Sequence, residues 1–321
     1  MIDHNLYTKM NELGRLNLPF LFIIDFYGKT GIVKELKDIS SSEILYDVDG
    51  ISNYKPQPKK TIEVAKFPMD IDSYGGLFNQ ISYQLHYGNS YLANLTCKTK
   101  IELNCDLKDV FFGSTAQYKL YLKDNFVCFS PECFIKIFGN KIFTYPMKGT
   151  ISSLIPNALE VILNDQKEKA EHNTIVDLLR NDLAIISENV TVSKFRFPTY
   201  VKTKDYNLIQ ISSEIIGELE ADFNSHIGDI LQKLLPAGSV TGAPKQKTVD
   251  IIKSTENYNR GFYTGIFGIY DGNNLDSAVA IRFIQKEGDE YYFKSGGGIT
   301  INSNLEAEYQ EMIDKIYVPI D

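Results

Sequence analysis

The clearest pattern of hydrophobic and polar positions lies in residues 134–151, FIKIFGNKIFTYPMKGTI. Apolar and polar side chains alternate up to Gly139-Asn140 and again after it, which is the pattern of two strands joined by a tight turn. The stretch therefore predicts a β-hairpin. Glu132 lies just before its first strand and Lys148 just after its second, so we expect the hairpin to bring these two side chains to one end.

The register of this hairpin decides which side chains face each other. A two-residue loop pairs position 132 with 147 and turns Lys148 away from Glu132. A three-residue loop over residues 139–141, with a left-handed bulge, sets Lys148 opposite Glu132 on one face. We favour the second register, because a carboxyl group beside an amine is a natural pair of acid and nucleophile. The alternative is a surface salt bridge at the base of the hairpin.

Other periodicities predict helices and strands along the rest of the chain. An apolar run at 19–26 predicts a buried, central strand. Apolar residues at helical spacing predict helices within 74–87, 156–186 and 304–316. Strands are expected at 91–96 and 208–219, and a three-stranded antiparallel meander at 262–270, 277–285 and 291–295. Arg282 lies in an otherwise apolar strand of this meander, so it must find an anionic partner.

Two glycine-containing segments suggest a close approach of backbone to ligand. Residues 239–245, SVTGAPK, indicate a loop entering a helix, with Thr241 as N-cap and Pro244 in the first turn. Such a helix N-terminus can hold a carboxylate or a phosphate, although the spacing is not that of a P-loop. Gly296, Gly297 and Gly298 would also let the backbone approach something closely, and a packed bend would need them equally.

The last predicted helix carries a regular set of charged residues. Glu308, Glu311 and Lys315 share a face of residues 304–316 that is separate from the apolar face. Two carboxylates one turn apart can hold a hard divalent cation such as Mg²⁺, together with ligand oxygens and water. The alternative is a solvated acidic face with a pair between Glu311 and Lys315, a common arrangement on helices.

Composition and charge exclude several classes of protein. The 321 residues carry a net charge of -8 without a basic stripe, which argues against binding of nucleic acid. The four cysteines have no metal-ligand spacing and indicate free thiols in a reducing compartment. No apolar run approaches the roughly 18 residues of a membrane span, and the N-terminus lacks the pattern of a signal peptide. We therefore expect a soluble, cytoplasmic protein without membrane association.

Several motifs resemble those of one family, the chorismate-utilising enzymes. They occur in the family's order and cover the chain from about residue 74 to the C-terminus. The matching segments are residues 171–183 (EHNTIVDLLRNDL), 238–245 (GSVTGAPK), 260–265 (RGFYTG), 295–299 (SGGGI) and 306–311 (EAEYQE).

The resemblance implies an α+β fold, a four-layer α/β/β/α sandwich of two stacked, mostly antiparallel sheets with outer helices. It also implies a single chorismate-binding domain over residues 1–321, in which residues 1–70 form an abbreviated N-terminal part. Longer members of the family bind tryptophan in that first region, so we expect no feedback regulation by tryptophan.

Lys148 indicates a branch of the family. Members that make 4-amino-4-deoxychorismate, for p-aminobenzoate and folate, typically carry Lys at this place, whereas anthranilate synthases typically carry Ala. Isochorismate and salicylate synthases use a lysine on an earlier strand, and the corresponding residues here, 91–96, contain none. The resemblance therefore points to amination of chorismate at C4. The alternatives are an anthranilate synthase component that happens to carry Lys148, and a non-catalytic partner subunit.

The resemblance also implies roles for individual residues. Lys148 is expected to attack ring carbon C2 of chorismate while Glu132 protonates the departing C4 hydroxyl, after which ammonia adds at C4 and expels Lys148. Burial near a bound metal should favour the neutral form of Lys148 that this attack needs. Mg²⁺ is expected between the substrate and three carboxylates, those of Glu171, Glu308 and Glu311. The substrate carboxylates are expected at Thr241, Tyr263, Arg282, Gly296, Gly297, Gly298 and Lys315.

Two features depart from the family or limit what one chain can do. Gln210 stands where many relatives carry a His near the leaving group, which leaves Glu132 as the acid. The chain shows no Cys-His-Glu constellation of a glutaminase. We therefore expect a separate glutamine amidotransferase subunit to supply ammonia, with free ammonia as a poorer substitute.

Overall fold

The structure is a computed structural model that describes residues 4–202 and 207–320. Its helices are α1 (His4–Arg15), α2 (Ile71–His86), α3 (Leu107–Gly113), α4 (Ala158–Asn164), α5 (Gln166–Ala184), α6 (Ile227–Leu234), α7 (Lys245–Thr255) and α8 (Leu305–Asp314). Its strands are β1 (Phe20–Ile24), β2 (Gly31–Glu35), β3 (Ile44–Val48), β4 (Ile51–Ser52), β5 (Val64–Phe67), β6 (Leu92–Leu103), β7 (Tyr118–Leu122), β8 (Phe126–Ser130), β9 (Cys133–Phe138), β10 (Lys141–Thr144), β11 (Met147–Ser152), β12 (Glu188–Lys202), β13 (Asn207–Glu218), β14 (Gly242–Ala243), β15 (Ile266–Tyr270), β16 (Leu275–Val279), β17 (Phe283–Glu287) and β18 (Glu290–Thr300).

These strands form two antiparallel sheets. In the first sheet β12 pairs with β13, which pairs on its other side with β10 and β11; the order then continues β9, β16, β15, β1, β2. In the second sheet the order is β14, β6, β18, β17, β8, β7, β3, β4, and β5 also pairs with β6. Strands from distant parts of the chain therefore become neighbours in both sheets.

Three hydrophobic layers hold the two sheets and the helices together. One layer lies between the first sheet and α1, α5 and α6, another between the second sheet and α2, α3, α7 and α8, and the third between the two sheets. In β1, Phe22 faces the helices and Ile23 the other sheet, so both faces of the strand are buried. The predicted buried strand and the four-layer α/β/β/α sandwich are confirmed.

The predicted hairpin forms as β9 and β10, but its favoured register is wrong. Ile142 pairs with Ile137 and Lys141 with Phe138, so the loop contains only Gly139 and Asn140. Gly139 has a φ of 60°, the left-handed conformation that a tight two-residue turn requires at its first position. Extension of this register would place residue 132 opposite 147, so the ladder itself does not set Lys148 against Glu132.

The predicted three-stranded meander is also wrong, because the chain changes sheet in the middle of it. β15 and β16 form a hairpin in the first sheet, whereas β17 and β18 form a hairpin in the second. Residues 280–282 make the crossing, and Arg282 adopts a φ of 51° there. The crossing places the Arg282 guanidinium at the junction of the two sheets instead of inside one strand.

The helix after residue 244 begins differently from the prediction. Pro244 is the N-cap of α7, and its side chain gives no hydrogen bond to the helix. The Thr241 hydroxyl instead donates to the carbonyl oxygen of Ala237 at 2.8 Å, so it does not cap α7. The region predicted as helix from 156 to 186 consists of α4 and α5, separated where the Asp165 side chain caps α5.

Candidate active site

A cavity of about 690 Å³ lies where residues of both sheets, α5 and α8 meet. Its walls come from the start of β6, the residue before β9, the segment joining β10 to β11, α5, the loop before β14, the sheet crossing at Arg282, and β18. This volume is within the range of roughly 300–1,000 Å³ that is typical of small-molecule sites. The cavity contains most of the side chains singled out from the sequence.

Glu132 lies in the cavity wall at the beginning of β9. Its carbonyl oxygen accepts a hydrogen bond from Val279 N, and its carboxylate accepts one from the Ser239 hydroxyl. Burial raises the pKa of Glu132 above its usual range, although the Ser239 hydrogen bond and the charges of Arg282 and Lys315 oppose the rise. A carboxyl group with a raised pKa retains its proton more readily and is suited to act as an acid.

Lys148 lies on a bulge of β11. Met147 pairs with Ser212 and Thr150 with Gln210, so β11 has one more residue than β13 over this interval. Gly149 adopts a φ of 93° within the bulge. A bulge of this kind redirects a side chain that the regular ladder would place elsewhere. The bulge, not the hairpin register, therefore sets the direction of Lys148 in the cavity wall.

The Lys148 ammonium group is paired with Glu171 of α5. Its Nζ lies 2.7 Å from Glu171 Oε2, and its side chain is 34% exposed because it faces the cavity. Burial alone would lower the pKa of Lys148, but the Glu171 carboxylate, with Glu311 and Glu168, raises it. The nearby carboxylates therefore outweigh burial and favour the charged form of Lys148. The neutral form beside a bound metal stays a prediction.

The carboxylates of α8 lie close to the backbone of β18. Glu311 Oε1 is 2.6 Å from Lys315 Nζ, and Glu308 Oε1 accepts a hydrogen bond from the Ser303 hydroxyl at 2.8 Å. A side-chain carbon at Gly297 would lie 3.1 Å from Glu311 Oε1 and 3.4 Å from Glu308 Oε2. The absence of a side chain at Gly297 therefore leaves a space on which both carboxylates converge.

These carboxylates have different proton affinities. Burial raises the pKa of Glu308. Burial alone would also raise the pKa of Glu311, but the charge and the hydrogen bond of Lys315 lower it. Carboxylate oxygens are the ligands that Mg²⁺ prefers, so the donor chemistry fits this ion. Within residues 4–202 and 207–320, however, no three His, Cys, Asp or Glu side chains are already grouped to hold a metal.

Four cationic side chains supply positive charge to the wall: Lys148, Lys167, Arg282 and Lys315. Lys315 Nζ donates to the carbonyl oxygen of Gly296 at 2.8 Å as well as to Glu311, and burial lowers its pKa. The Arg282 guanidinium lies 5.2 Å from the centre of the Tyr317 ring, and its Nε is buried without a hydrogen-bond partner. An unpaired guanidinium nitrogen at a cavity wall is suited to bind an anionic ligand.

The structure brings most, but not all, of the predicted site residues to this cavity. The lining residues among them are Glu132, Lys148, Glu171, Tyr263, Arg282, Gly296, Gly297, Gly298, Glu311 and Lys315. Thr241 and Glu308 do not line it: Thr241 is completely buried, and Glu308 is buried beside Gly297. Gln210 does not line it either and pairs with Thr150 and Thr199 within the first sheet. The chemical roles of the lining residues remain predictions.

The polar residues of the wall that sequence reasoning missed include Asn94 and Ser239. Ser239 hydrogen-bonds Glu132 across 107 residues of sequence. The Asn94 side-chain oxygen is buried without a partner. The Gly-Ser-Val motif and the strand at 91–96 were both recognised, but neither pattern shows which side chain faces the cavity.

A buried ion pair fixes the segments that carry these two residues. Arg260 donates to both oxygens of Glu256 at 2.8 and 2.6 Å, and both side chains are at most 2% exposed. The same guanidinium donates to the carbonyl oxygen of Val240 at 2.9 Å and to that of Asn94 at 2.7 Å. Arg260 therefore ties the loop of Ser239 to strand β6.

Comparison with known proteins is consistent with this site. A family model described as chorismate binding enzyme matches residues 29–321. An uncharacterized PabA-like protein of Haemophilus influenzae is 47% identical over 312 residues, which are 97% of this chain and 95% of that protein. The aminodeoxychorismate synthase component 1 of Escherichia coli is 30% identical over 263 residues, 77% of this chain but only 57% of that protein.

Solved structures show the same fold. The menaquinone-specific isochorismate synthase of Escherichia coli superposes with a TM-score of 0.74 at 18% identity, over 95% of this chain and 78% of that chain. Anthranilate synthase component I of Streptococcus pneumoniae gives a TM-score of 0.68 at 26% identity, over 80% of this chain and 59% of that chain. None of the helices in the described residues is both long and apolar enough to cross a membrane. With most of its length matched by the family model, the chain belongs to the chorismate binding enzymes.

Proposed function

We propose that this enzyme converts chorismate and ammonia to 4-amino-4-deoxychorismate. The observation that carries the proposal is the presence of Lys148 and Glu132 in the wall of one cavity, an amine and a carboxyl group with a raised pKa. Similarity to aminodeoxychorismate synthase component 1 of Escherichia coli supports it. The position of Lys148 is the feature that separates this reaction from those of other family members.

In the proposed first step Lys148 and Glu132 act together on the ring. The Lys148 lone pair forms a bond to C2, the electron pairs of the two ring double bonds shift toward C4, and the C4–O bond breaks. Glu132 gives its proton to the departing hydroxyl, which leaves as water. Because Lys148 is paired with Glu171, which raises its pKa, Lys148 must leave this carboxylate and lose a proton before it attacks.

In the proposed second step ammonia replaces the lysine. Its lone pair forms the C4–N bond, the double bonds shift back, and the C2–N bond to Lys148 breaks with its electron pair returning to the lysine. The proton that the new amine loses passes to the Glu132 carboxylate, which restores the acid. The enolpyruvyl group stays on the ring throughout, so the net reaction exchanges hydroxyl for amine and releases one water.

Binding of the dianionic substrate needs positive charge in an acidic cavity. Arg282, with its unpaired Nε, and Lys315 are the cations that we assign to the substrate carboxylates. Glu171, Glu308 and Glu311 would hold a Mg²⁺ ion. When bound, this ion would neutralise carboxylate charge between the protein and the substrate. Binding of Mn²⁺ to the protein, followed by electron paramagnetic resonance in wild type and Glu311→Gln, tests this assignment without an activity measurement.

We further propose that the ammonia comes from a glutamine amidotransferase partner. The cysteines offer no activated thiol for glutamine hydrolysis: burial raises the pKa of Cys97 to about 12 and also raises the pKa of the other three. Free ammonium salts would supply ammonia in the absence of the partner. The protein alone should therefore be active with ammonium chloride and inactive with glutamine.

Product analysis tests the proposed function. The purified protein is incubated with chorismate, Mg²⁺ and ammonium chloride, and the products are separated by liquid chromatography and identified by mass spectrometry. We expect aminodeoxychorismate, and we expect Lys148→Ala to lose at least about a hundredfold in rate because the covalent route is closed. Anthranilate and pyruvate as products would instead assign the chain to the anthranilate branch, and isochorismate would show addition of water.

A further inference from the structure

Asn94 carries an unsatisfied polar atom in the cavity wall. Its backbone is fully used, since its N–H donates to the carbonyl oxygen of Thr241 at 2.9 Å and its carbonyl oxygen accepts from Arg260 at 2.7 Å. Its side-chain oxygen Oδ1, in contrast, is buried and has no hydrogen-bond partner. A buried amide oxygen left without a donor is unfavourable, so such an atom points to a missing ligand.

The hydrogen bonds of Arg260 link the backbone of Asn94 to the loop that holds Glu132. Adjacent nitrogens of this guanidinium hold the carbonyl oxygens of Asn94 and Val240. Val240 directly follows Ser239, whose hydroxyl donates to the Glu132 carboxylate. Asn94 and Glu132 are thus anchored through the same short loop.

The strand opposite Asn94 provides no competing donor. Asn94 pairs with Gly298, which also lines the cavity, and directly opposed residues of an antiparallel pair share one face of the sheet. A side-chain carbon at Gly298 would meet only the apolar Leu92 Cδ1, at 3.0 Å, so this glycine brings no hydrogen-bond donor to the carboxamide. The donor that Oδ1 needs must therefore come from a molecule in the cavity.

The chemistry of the proposed reactants narrows the choice of donor. The carboxylates and the ether of chorismate can only accept hydrogen bonds, and its single donor is the C4 hydroxyl. The other reactant with N–H donors is ammonia, which arrives at the same carbon. The two reactant groups that could donate to Asn94 Oδ1 are therefore the hydroxyl bonded to C4 and the ammonia that forms a bond to C4.

We propose that the Asn94 carboxamide oxygen accepts a hydrogen bond from the attacking ammonia and directs its lone pair toward C4. This inference rests on the proposed function. One N–H of ammonia is held by Asn94 Oδ1 while the lone pair forms the C4–N bond, and the C2–N bond to Lys148 breaks as described. The proton released by the new amine goes to Glu132, so Asn94 itself neither gains nor loses a proton.

The test separates binding of ammonia from binding of chorismate. Wild type, Asn94→Leu and Asn94→Asp are assayed with Mg²⁺ while ammonium chloride is varied at saturating chorismate, and chorismate is varied at saturating ammonium. Asn94→Leu should raise the KM for ammonia about five- to tenfold, the effect of losing one hydrogen bond, and leave the KM for chorismate within about twofold. Asn94→Asp keeps an acceptor oxygen in place and should stay within about threefold of wild type for ammonia.

The control applies the same change outside the cavity. Asn125→Leu alters a carboxamide that does not line the cavity, and both KM values should remain at their wild-type levels. An unchanged KM for ammonia in Asn94→Leu overturns this inference but leaves the proposed function intact. A rise in the KM for chorismate alone has the same consequence, because it would mean that the carboxamide donates to a substrate carboxylate. A wild-type enzyme that makes no aminodeoxychorismate overturns the proposed function and this inference together.

Discussion

Replacement of Arg260 by Met should destabilise the protein by about 3–4 kcal/mol. The Arg260 and Glu256 side chains are only 1% and 2% exposed, so the substitution leaves a carboxylate buried without its cation. Breaking a buried ion pair in this way typically costs about 3–5 kcal/mol. Thr96 still donates its N–H and its hydroxyl to Glu256, both at 2.8 Å, which places the expected cost in the lower part of that range.

A double-mutant cycle separates the free-energy cost of the unpaired buried charge from the cost of the lost packing. Glu256→Gln in the Arg260→Met background removes the buried charge and keeps an amide oxygen that Thr96 can reach. The double variant should therefore be less destabilised than the sum of the two single variants, by about 2 kcal/mol. The carbonyl oxygens of Val240 and Asn94 remain without Arg260 in both backgrounds, so that part of the loss should not be recovered.

Urea unfolding measures these free energies. The chain has no tryptophan, so far-ultraviolet circular dichroism is the appropriate signal. Arg260→Met is expected to retain only part of the roughly 5–15 kcal/mol that is usual for folded proteins. A cost below about 1 kcal/mol, or strictly additive single variants, would refute the view that this pair holds β6 and the Ser239 loop together.

Three further predictions concern other parts of the structure. Gly297→Ala should lower kcat/KM at least about tenfold in steady-state kinetics, because its new carbon would crowd Glu311. Gly76 is exposed within α2 and a side chain there would meet no other atom, so Gly76→Ala should stabilise the protein by about 0.5–1 kcal/mol in urea unfolding. Burial lowers the pKa of Lys294 from 10.5 to about 7, so the free energy of unfolding should rise with pH between these values, and Lys294→Met should lack that rise in urea titrations at several pH values. Glu132→Gln should lower kcat by about 10²–10⁴ with little change in chorismate affinity, and unaltered turnover would remove Glu132 as the acid.

Local patterns were sufficient for the elements but not for their register. The hairpin at 134–144 was predicted from alternation and Gly139-Asn140, yet loops of two and three residues fit that pattern equally well. The register is decided by β13, which pairs with β10 and then with β11 beyond Pro146. That strand is about seventy residues away in sequence, so its influence cannot be seen within the hairpin.

The change of sheet near Arg282 also could not be predicted from the sequence. Residues on both sides of the crossing are buried, one set in each sheet, so the apolar pattern continues without a break. The positive φ of Arg282 is unusual for a residue that is not glycine, and composition gives no sign of it. The family motifs located the cavity, whereas the contacts of Ser239 and Asn94 depend on segments brought together only by the fold.

The most direct test of the account is a search for the covalent Lys148 intermediate. The protein is mixed with chorismate and Mg²⁺ in the absence of ammonia, denatured rapidly, and examined by intact-protein and peptide mass spectrometry. The account predicts an adduct with the mass of chorismate less water, located on Lys148, absent from Lys148→Ala and discharged as aminodeoxychorismate when ammonium is added. Formation of aminodeoxychorismate by Lys148→Ala at the wild-type rate would contradict the account, because amination would then proceed without the lysine.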